Sequence, residues 1–477
     1  MKNITLLFVI FICFSKCYAQ DNSERPPNII FILIDDQRYD FLSYLEHSWI
    51  KTPNIDKLAS NSTYFDNAFV TTSLCSPSRA SIMTGQYTRK HKVWDNDTPL
   101  PNATVTFPEA LQEQGYITSF IGKWHMGGDN DMPRAGFDQW ISFKGQGAYV
   151  DPMVNVDGKR VQRKGYMTDI LTDYAVAFIQ ENANSEQPYF MYLSHKAIHE
   201  DFTPAPRHAG VYNNLIVPRP ESMADTDQNY LGKPDWVRKQ RRSWHGTERD
   251  FKASGYIDFD NFFRRYSEAM LSVDESVGKL TEELVRLCQL ENTVIIYYSD
   301  NGYMVGEHGL IDKRVMYEES IRVPGFVHWP GKLKKPMHRK EIVLNIDIAP
   351  TILDIAKADI PKSMHGTSFL PLLENQPISW REGFIYEYFC DPKAVQTPTI
   401  VGLRTNEYSY MAYSGIWDNY ELYHLQNDPG QRKNLLGHIK FGHDYGTFLD
   451  QVERQDTELF KIVSSLDDEM QKLLNKN

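Results

Sequence analysis

PNIIFILIDDQ, residues 27–37, runs through six consecutive apolar side chains from Ile29 to Ile34 and then stops at Asp35-Asp36. An unbroken run of that length suits a strand buried on both faces, as in a parallel sheet covered by helices. Three further segments share the design. YITSFIGKWHMGG (116–128) delivers Lys123 and His125, PYFMYLSHKAIHE (188–200) delivers His195 and His199, and TVIIYYSDNG (293–302) delivers Asp300-Asn301. Helical patterns lie between them. TFPEALQEQG (106–115) has a capping threonine, an early proline and a glycine stop,. Residues 166–180 read as a second helix. Tyr266, Met270, Val273, Val277, Leu280, Leu284 and Leu287 mark one apolar face of a third,. Strands alternating with helices imply an α/β fold, whose ligands gather beyond the carboxyl ends of the strands. The polar clusters sit at those ends.

A chain of 477 residues has room for two or three domains, and its net charge of −11 argues against general nucleic-acid binding,. At the N-terminus, Lys2, the apolar run 4–14 and Cys17-Tyr18-Ala19 read as a secretory signal peptide, residues 1–19,. The run is too short to span a bilayer comfortably, and no second stretch is long enough. The expectation is a secreted or periplasmic protein with no membrane span. Of five cysteines, Cys13 and Cys17 belong to that segment, leaving Cys75, Cys288 and Cys390. An odd number in an exported chain leaves at least one thiol over. Cys288 lies in an apolar helical stripe and can pair with Cys390, whereas Cys75 is the candidate for chemistry.

Asp35, Asp36, Asp300 and Asn301 offer only oxygen ligands, which favours a hard cation such as calcium or magnesium over zinc. In SLCSPSRASIMTGQY (73–87) a helix is expected to start around Pro77. Residue 75 then lies at its N-terminus, where free amides and the helix dipole favour negative charge. Arg79, one turn on, can point a guanidinium at the same place.

Cys75-Ser76-Pro77-Ser78-Arg79 matches the C-x-P-x-R signature of the type I, formylglycine-dependent sulfatases, and ASIMTGQY after it resembles that family too. The resemblance runs from PNIIFILIDDQ through GKWHMG, HKAIH and SDNGYMVGEHGLIDKRVMYEESIRVPGFV (299–327) to ELYHLQNDPGQRKNL (421–435), where His424 stands at a position commonly Asp. It implies an alkaline phosphatase-like fold: a mostly parallel sheet covered by helices, with a smaller C-terminal α+β domain. It also implies that a maturing enzyme oxidises Cys75 to formylglycine, whose hydrated aldehyde is the nucleophile. By the same resemblance Asp35, Asp36, residue 75, Asp300 and Asn301 hold calcium.

The substrate implied is a sulfated carbohydrate, bound through Lys123, His199 and Lys313. By the same resemblance Arg79 is expected to steady the hydrated aldehyde, and Lys123 and Lys313 to neutralise the sulfate. His199 is the candidate to protonate the departing sugar oxygen, and His125 the candidate to assist the expulsion of sulfate. The segment 302–324 looks like the N-acetylglucosamine-6-sulfatase branch and related polysaccharide sulfatases. Two competing readings stay open: a phosphonate or phosphate ester hydrolase of the same superfamily, and a non-catalytic sulfated-glycan-binding protein. The Asp-Asn pair at 300–301, in place of Asp-His, separates this chain from the phosphonate and phosphodiester hydrolases.

The catalytic domain is expected over residues 20–375 and the C-terminal subdomain over 376–477. Within the first, KPDWVRKQRRSWHG (233–246) lies in a long polar insertion. Its mixture of basic and aromatic residues suggests either an anionic-glycan surface or a solvated helix.

Overall fold

A computed structural model describes residues 25–248, 256–414, 420–440 and 447–476. The expected signal segment lies outside these residues. The run that opens the sequence forms the strand Asn28–Ile34, buried along its whole length. It pairs in parallel with Tyr189–Ser194 on one side and Thr293–Ser299 on the other. Ile117–Lys123 and then Gln139–Phe143 extend the parallel centre. Short strands, mostly antiparallel, bring the sheet to ten.

Alternation along the central strand feeds two cores. Ile29, Phe31 and Leu33 face one, with Ala80, Phe107, Leu111, Ile348 and Ile352. Ile30, Ile32 and Ile34 face the other, with Met167, Leu171, Phe263 and Val273. Full burial of each such side chain contributes roughly 1.5–3 kcal/mol. Helices covering both faces therefore explain why the strand shows no polar alternation. The long helix runs Phe259–Arg286, about two turns longer at its start than the heptad-like face beginning at Tyr266 suggests,. Phe259, Phe262 and Phe263 prolong the apolar face, and the Asp258 side chain caps it by accepting from Asn261 N at 2.8 Å,. The helix after Leu74 begins at Cys75 itself, and Pro77 sits inside its first turn, where no N–H is needed,.

A second, antiparallel sheet is built from Gly383–Tyr388, Thr399–Thr405, Tyr408–Ser414 and Tyr420–His424, followed by the helices Phe448–Gln455 and Thr457–Lys476. It docks on the loop leading to Cys75. Glu387 N donates to Thr71 O at 2.9 Å, and Ser73 N donates to the Tyr386 hydroxyl at 3.3 Å.

The basic-aromatic segment is a partly buried short helix and loop, with Lys239, Arg242 and Trp244 exposed. Only Asp235–Gln240 is helical, and Val237 and Gln240 are buried. Lys233 is buried too. Its ammonium donates to Gln431 O at 2.8 Å and pairs with Glu421 at 3.4 Å, beneath Tyr317 and Tyr423. Arg238 pairs with Asp225, and Arg241 with Glu248. Of the segment's charges, Lys233 ties the two domains together, while Arg238 and Arg241 pair within the insertion. Cys390 carries a free thiol, so the pairing with Cys288 left open by the sequence is not made.

Candidate active site

All four strand ends converge on Cys75. Its sulfur lies 3.5 Å from Asp35 Oδ1, and the residue is fully buried at the first position of its helix. Burial pushes the Cys75 thiol up to about 12 despite Lys123 and Lys313 nearby. A thiol in that state is a poor nucleophile at neutral pH.

Asp35, Asp36 and Asp300 place carboxylate oxygens within 4.8 Å of one another, all buried. Such a group cannot be fully ionised without cations. Burial raises Asp36 despite Lys313, and burial with Asp35 beside it raises Asp300 to about 7. Burial works the same way on Asp35, but Lys123 and Arg79 outweigh it and hold that carboxyl well below its usual range. Asn301 Nδ2 donates to Asp36 Oδ1 at 2.7 Å, while Asn301 Oδ1 is buried with no hydrogen-bond partner among the described residues. An orphaned carbonyl oxygen beside three crowded carboxylates fits a hard cation such as calcium.

The lysines face this cluster from two directions. Lys123, at the end of its strand, contacts Asp35, and Lys313 Nζ lies 2.6 Å from Asp36 Oδ2. Arg79 is occupied otherwise. Its Nε donates to Asp300 Oδ2 at 2.9 Å, and its Nη1 donates to Lys123 O at 2.7 Å and Ser194 Oγ at 2.6 Å. This guanidinium holds the strand ends together and has little capacity left for a substrate. Gly122 makes that closeness possible: at φ +124° its backbone passes Ser194 so near that a Cβ would lie 1.8 Å from the Ser194 carbonyl oxygen,.

His199 Nε2 lies 3.9 Å from Asp36 Oδ2, with its side chain 16% exposed. His125 Nδ1 lies 3.3 Å from Ser76 Oγ, which donates to His125 O at 2.6 Å. Burial, then Lys123, hold both imidazoles well below their usual range, so both are neutral at pH 7,. Asp36, His125, Asp312 and Arg314 have φ of 65°, 59°, 73° and 81°. Left-handed non-glycine residues gathered at one site mark backbone strain of the kind associated with function.

The structure thus brings Asp35, Asp36, Cys75, Arg79, Lys123, His125, His199, Asp300, Asn301 and Lys313 into one cluster. The other two histidines lie apart. His195 is fully buried, with Nε2 3.1 Å from Ser276 Oγ on the long helix. His308 is buried with its ring 4.2 Å from that of Tyr317. Sequence reasoning missed Ser76, Ser194 and Tyr149, whose hydroxyl donates to His199 O at 2.8 Å. A serine closing an apolar run was the available signal for Ser194. Tyr149 had none.

Residues 27–358 match the sulfatase family, and residues 306–457 match the family described as N-sulphoglucosamine sulphohydrolase, C-terminal. N-acetylglucosamine-6-O-sulfatase of Bacteroides thetaiotaomicron is 32% identical over 480 residues, covering 88% of this chain and 85% of that protein. N-acetylglucosamine-6-sulfatase of Homo sapiens is 33% identical over 408 residues, covering 80% and 70%. A structure solved in complex with its substrate, D-glucosamine-2-N,6-O-disulfate, superposes with a TM-score of 0.82 at 30% identity, covering 94% of this chain and 99% of the other. The phosphonate monoester hydrolase of Agrobacterium radiobacter shares the fold, with a TM-score of 0.71 at 19% identity over 93% and 96%.

Proposed function

The chain belongs to the sulfatase family and is a sulfuric ester hydrolase, and on that premise we propose that it removes the 6-O-sulfate of glucosamine units in sulfated glycans, using formylglycine at position 75 and calcium. The observation that carries this reading is the buried cluster itself. Cys75 faces three carboxylates, an orphaned amide oxygen and two lysines, with two neutral histidines beside them.

Residues 20–375 would form the catalytic domain and 376–477 the C-terminal subdomain. The signal-like residues 1–19 support a secreted or periplasmic location, and a relative named as an extracellular sulfatase homolog in Caenorhabditis elegans is consistent with it. No described helix is long and apolar enough to cross a membrane.

Calcium, held by Asp35, Asp36, Asp300, Asn301 and residue 75, would supply positive charge against sulfate and acidify a hydroxyl beside it. The hydrated aldehyde made from Cys75 by a maturing enzyme would supply the attacking oxygen. Arg79, fixed by Asp300, Ser194 and the Lys123 carbonyl, keeps residue 75 and the strand ends in register. Lys123 and Lys313 neutralise the sulfate from two sides, and loss of one such contact costs about a hundredfold to a thousandfold in turnover.

His199 gives a proton to the sugar oxygen as the sulfur–oxygen bond breaks. It is neutral before substrate arrives because burial and the two lysines disfavour its charge. The anionic ester offsets part of that cost and so favours a proton on His199 in the complex. His125, with Nδ1 turned to Ser76, takes up the proton released when sulfate is expelled,.

The test is release of sulfate from glucosamine monosulfated at O3, at O6 or at nitrogen, and of phosphate from glucosamine 6-phosphate, both measured by ion chromatography. Turnover of the 6-O-sulfate alone is expected. Preference for another position would overturn the regiochemistry, and preference for the phosphate would favour the competing esterase reading.

A further inference from the structure

The mechanism above does not use Lys196, a buried cation beside the centre. Lys196 is 1% exposed, and its ammonium has no hydrogen-bond partner among the described residues. The other cations of the centre each touch a carboxylate: Lys123 touches Asp35, Lys313 touches Asp36 and Arg79 touches Asp300. Burying an ammonium without an acceptor is costly, and a methionine would fill the same space without that penalty. Burial, with Lys123 nearby, brings Lys196 down to about 8, which reflects the same cost.

What receives the ammonium is a ring. Lys196 Nζ sits 4.3 Å from the centroid of Tyr149, and a desolvated cation–π contact is worth about 2 kcal/mol or more. Tyr149 is the residue whose hydroxyl donates to His199 O at 2.8 Å, and His199 N donates to Lys196 O at 3.1 Å. The far face of the arrangement is fixed as well. Tyr149 stacks on Tyr166 at 5.7 Å and 17°, and the Tyr166 hydroxyl donates to Thr203 O at 2.9 Å. The same loop grips the metal-site carboxylate: Asp35 N donates to Ala197 O at 3.0 Å and Ile198 N donates to Asp35 O at 2.7 Å. Residues 195–199 therefore set His199 against Asp35, and the Lys196–Tyr149 contact closes the turn on its outer side.

We propose that Lys196 is a positioning residue for proton transfer: its ammonium, seated on the Tyr149 ring, holds the turn that aims His199 at the leaving oxygen. Its ammonium makes no hydrogen bond to the carboxylates of the metal site. The inference rests on the assignment of His199 as the acid, and the experiment keeps the two separable. Lys196→Met retains the length and packing of the side chain and removes the charge. Tyr149→Phe keeps the ring and removes the bond to His199 O. Each variant is compared with His199→Ala on a sulfated glucosamine, whose alkoxide needs a proton, and on nitrophenyl sulfate, whose phenolate does not.

Lys196→Met and Tyr149→Phe should each lower kcat on the sugar sulfate by about tenfold, a fraction of what general acid catalysis contributes. KM and the nitrophenyl sulfate rate should stay within about threefold, and the double variant should be no slower than the slower single one, as expected for residues acting through one unit. Should His199→Ala show the leaving-group dependence while Lys196→Met slows both substrates alike, or neither, the positioning role fails and the acid assignment stands. Should His199→Ala itself slow both alike, the acid assignment fails and takes the positioning role with it.

Discussion

Asp300→Ala tests the metal centre and the ion pair that shares it. Arg79 Nε and Nη2 lie 2.9 and 2.8 Å from Asp300 Oδ2, and Asp36 N donates to Asp300 Oδ1 at 3.1 Å. Alanine removes all three contacts and leaves a fully buried guanidinium with Asp35 at 3.5 Å as its remaining carboxylate. Breaking a buried pair from one side costs about 3–5 kcal/mol. Unfolding entropy of about 2.1 cal/mol/K per residue gives roughly 1 kcal/mol/K for a chain of 477 residues,. The melting temperature should therefore fall by about 3–5 °C even without metal.

Calcium adds a separable increment. A ligand present at a hundredfold over its Kd stabilises the native state by about 2.7 kcal/mol, here roughly 3 °C. Thermal melts of both proteins in excess calcium and in excess chelator isolate the two effects. The unmodified protein should lose about 3 °C on chelation, and Asp300→Ala should show no such difference and no sulfatase turnover. A variant that keeps the full calcium response would remove Asp300 from the ligand set. A parent protein that neither responds to chelation nor loses activity would refute the calcium centre.

Two further outcomes follow from the same geometry. Lys313→Ala should slow a sugar sulfate and nitrophenyl sulfate by similar factors of about a hundredfold or more, because both present the same sulfate; a leaving-group-dependent loss would move Lys313 to the departing oxygen. Acid stability should track the buried histidines. Burial holds His195 at about 4 and His91 at about 3, so the unfolded chain, titrating near 6.5, takes up protons first,. Stability is complete above about pH 6.5 and is lost as pH falls toward 4, by about 3 kcal/mol for His195. His195→Gln should flatten the difference between denaturation curves at pH 7 and pH 4.5, and an unchanged difference would rule the assignment out.

The parts of this architecture that could be read from the sequence are those where local chemistry and tertiary role coincide. Ile29–Ile34 is apolar throughout because helices cover both faces, and Asp35-Asp36 mark where that cover ends. Cys75 and Arg79 are one helical turn apart, so their meeting at one place is already present in the spacing, and the fold then brings Asp35 and Asp300 to them. Lys233 was illegible for the opposite reason. Its counter-charge Glu421 lies 188 residues away, so a buried tie between domains reads locally as one more exposed base. Lys196 was hidden by its neighbours: between two histidines it looks like part of a polar loop, and only the fold puts the Tyr149 ring against it. The boundary of the long helix slipped because Phe259, Phe262 and Phe263 extend the apolar face beyond the strictest part of the repeat.

The identity of residue 75 in active protein bears on the central claim more directly than any substitution. The peptide carrying Cys75 should be isolated from preparations made with and without a formylglycine-generating partner and analysed by mass spectrometry, with an aldehyde-specific hydrazide label as a second readout. The fraction of peptide in the aldehyde form should rise in proportion to kcat on the sulfated sugar, and Cys75→Ala should be folded and inactive. Full turnover from protein whose residue 75 is entirely unmodified cysteine would contradict the account.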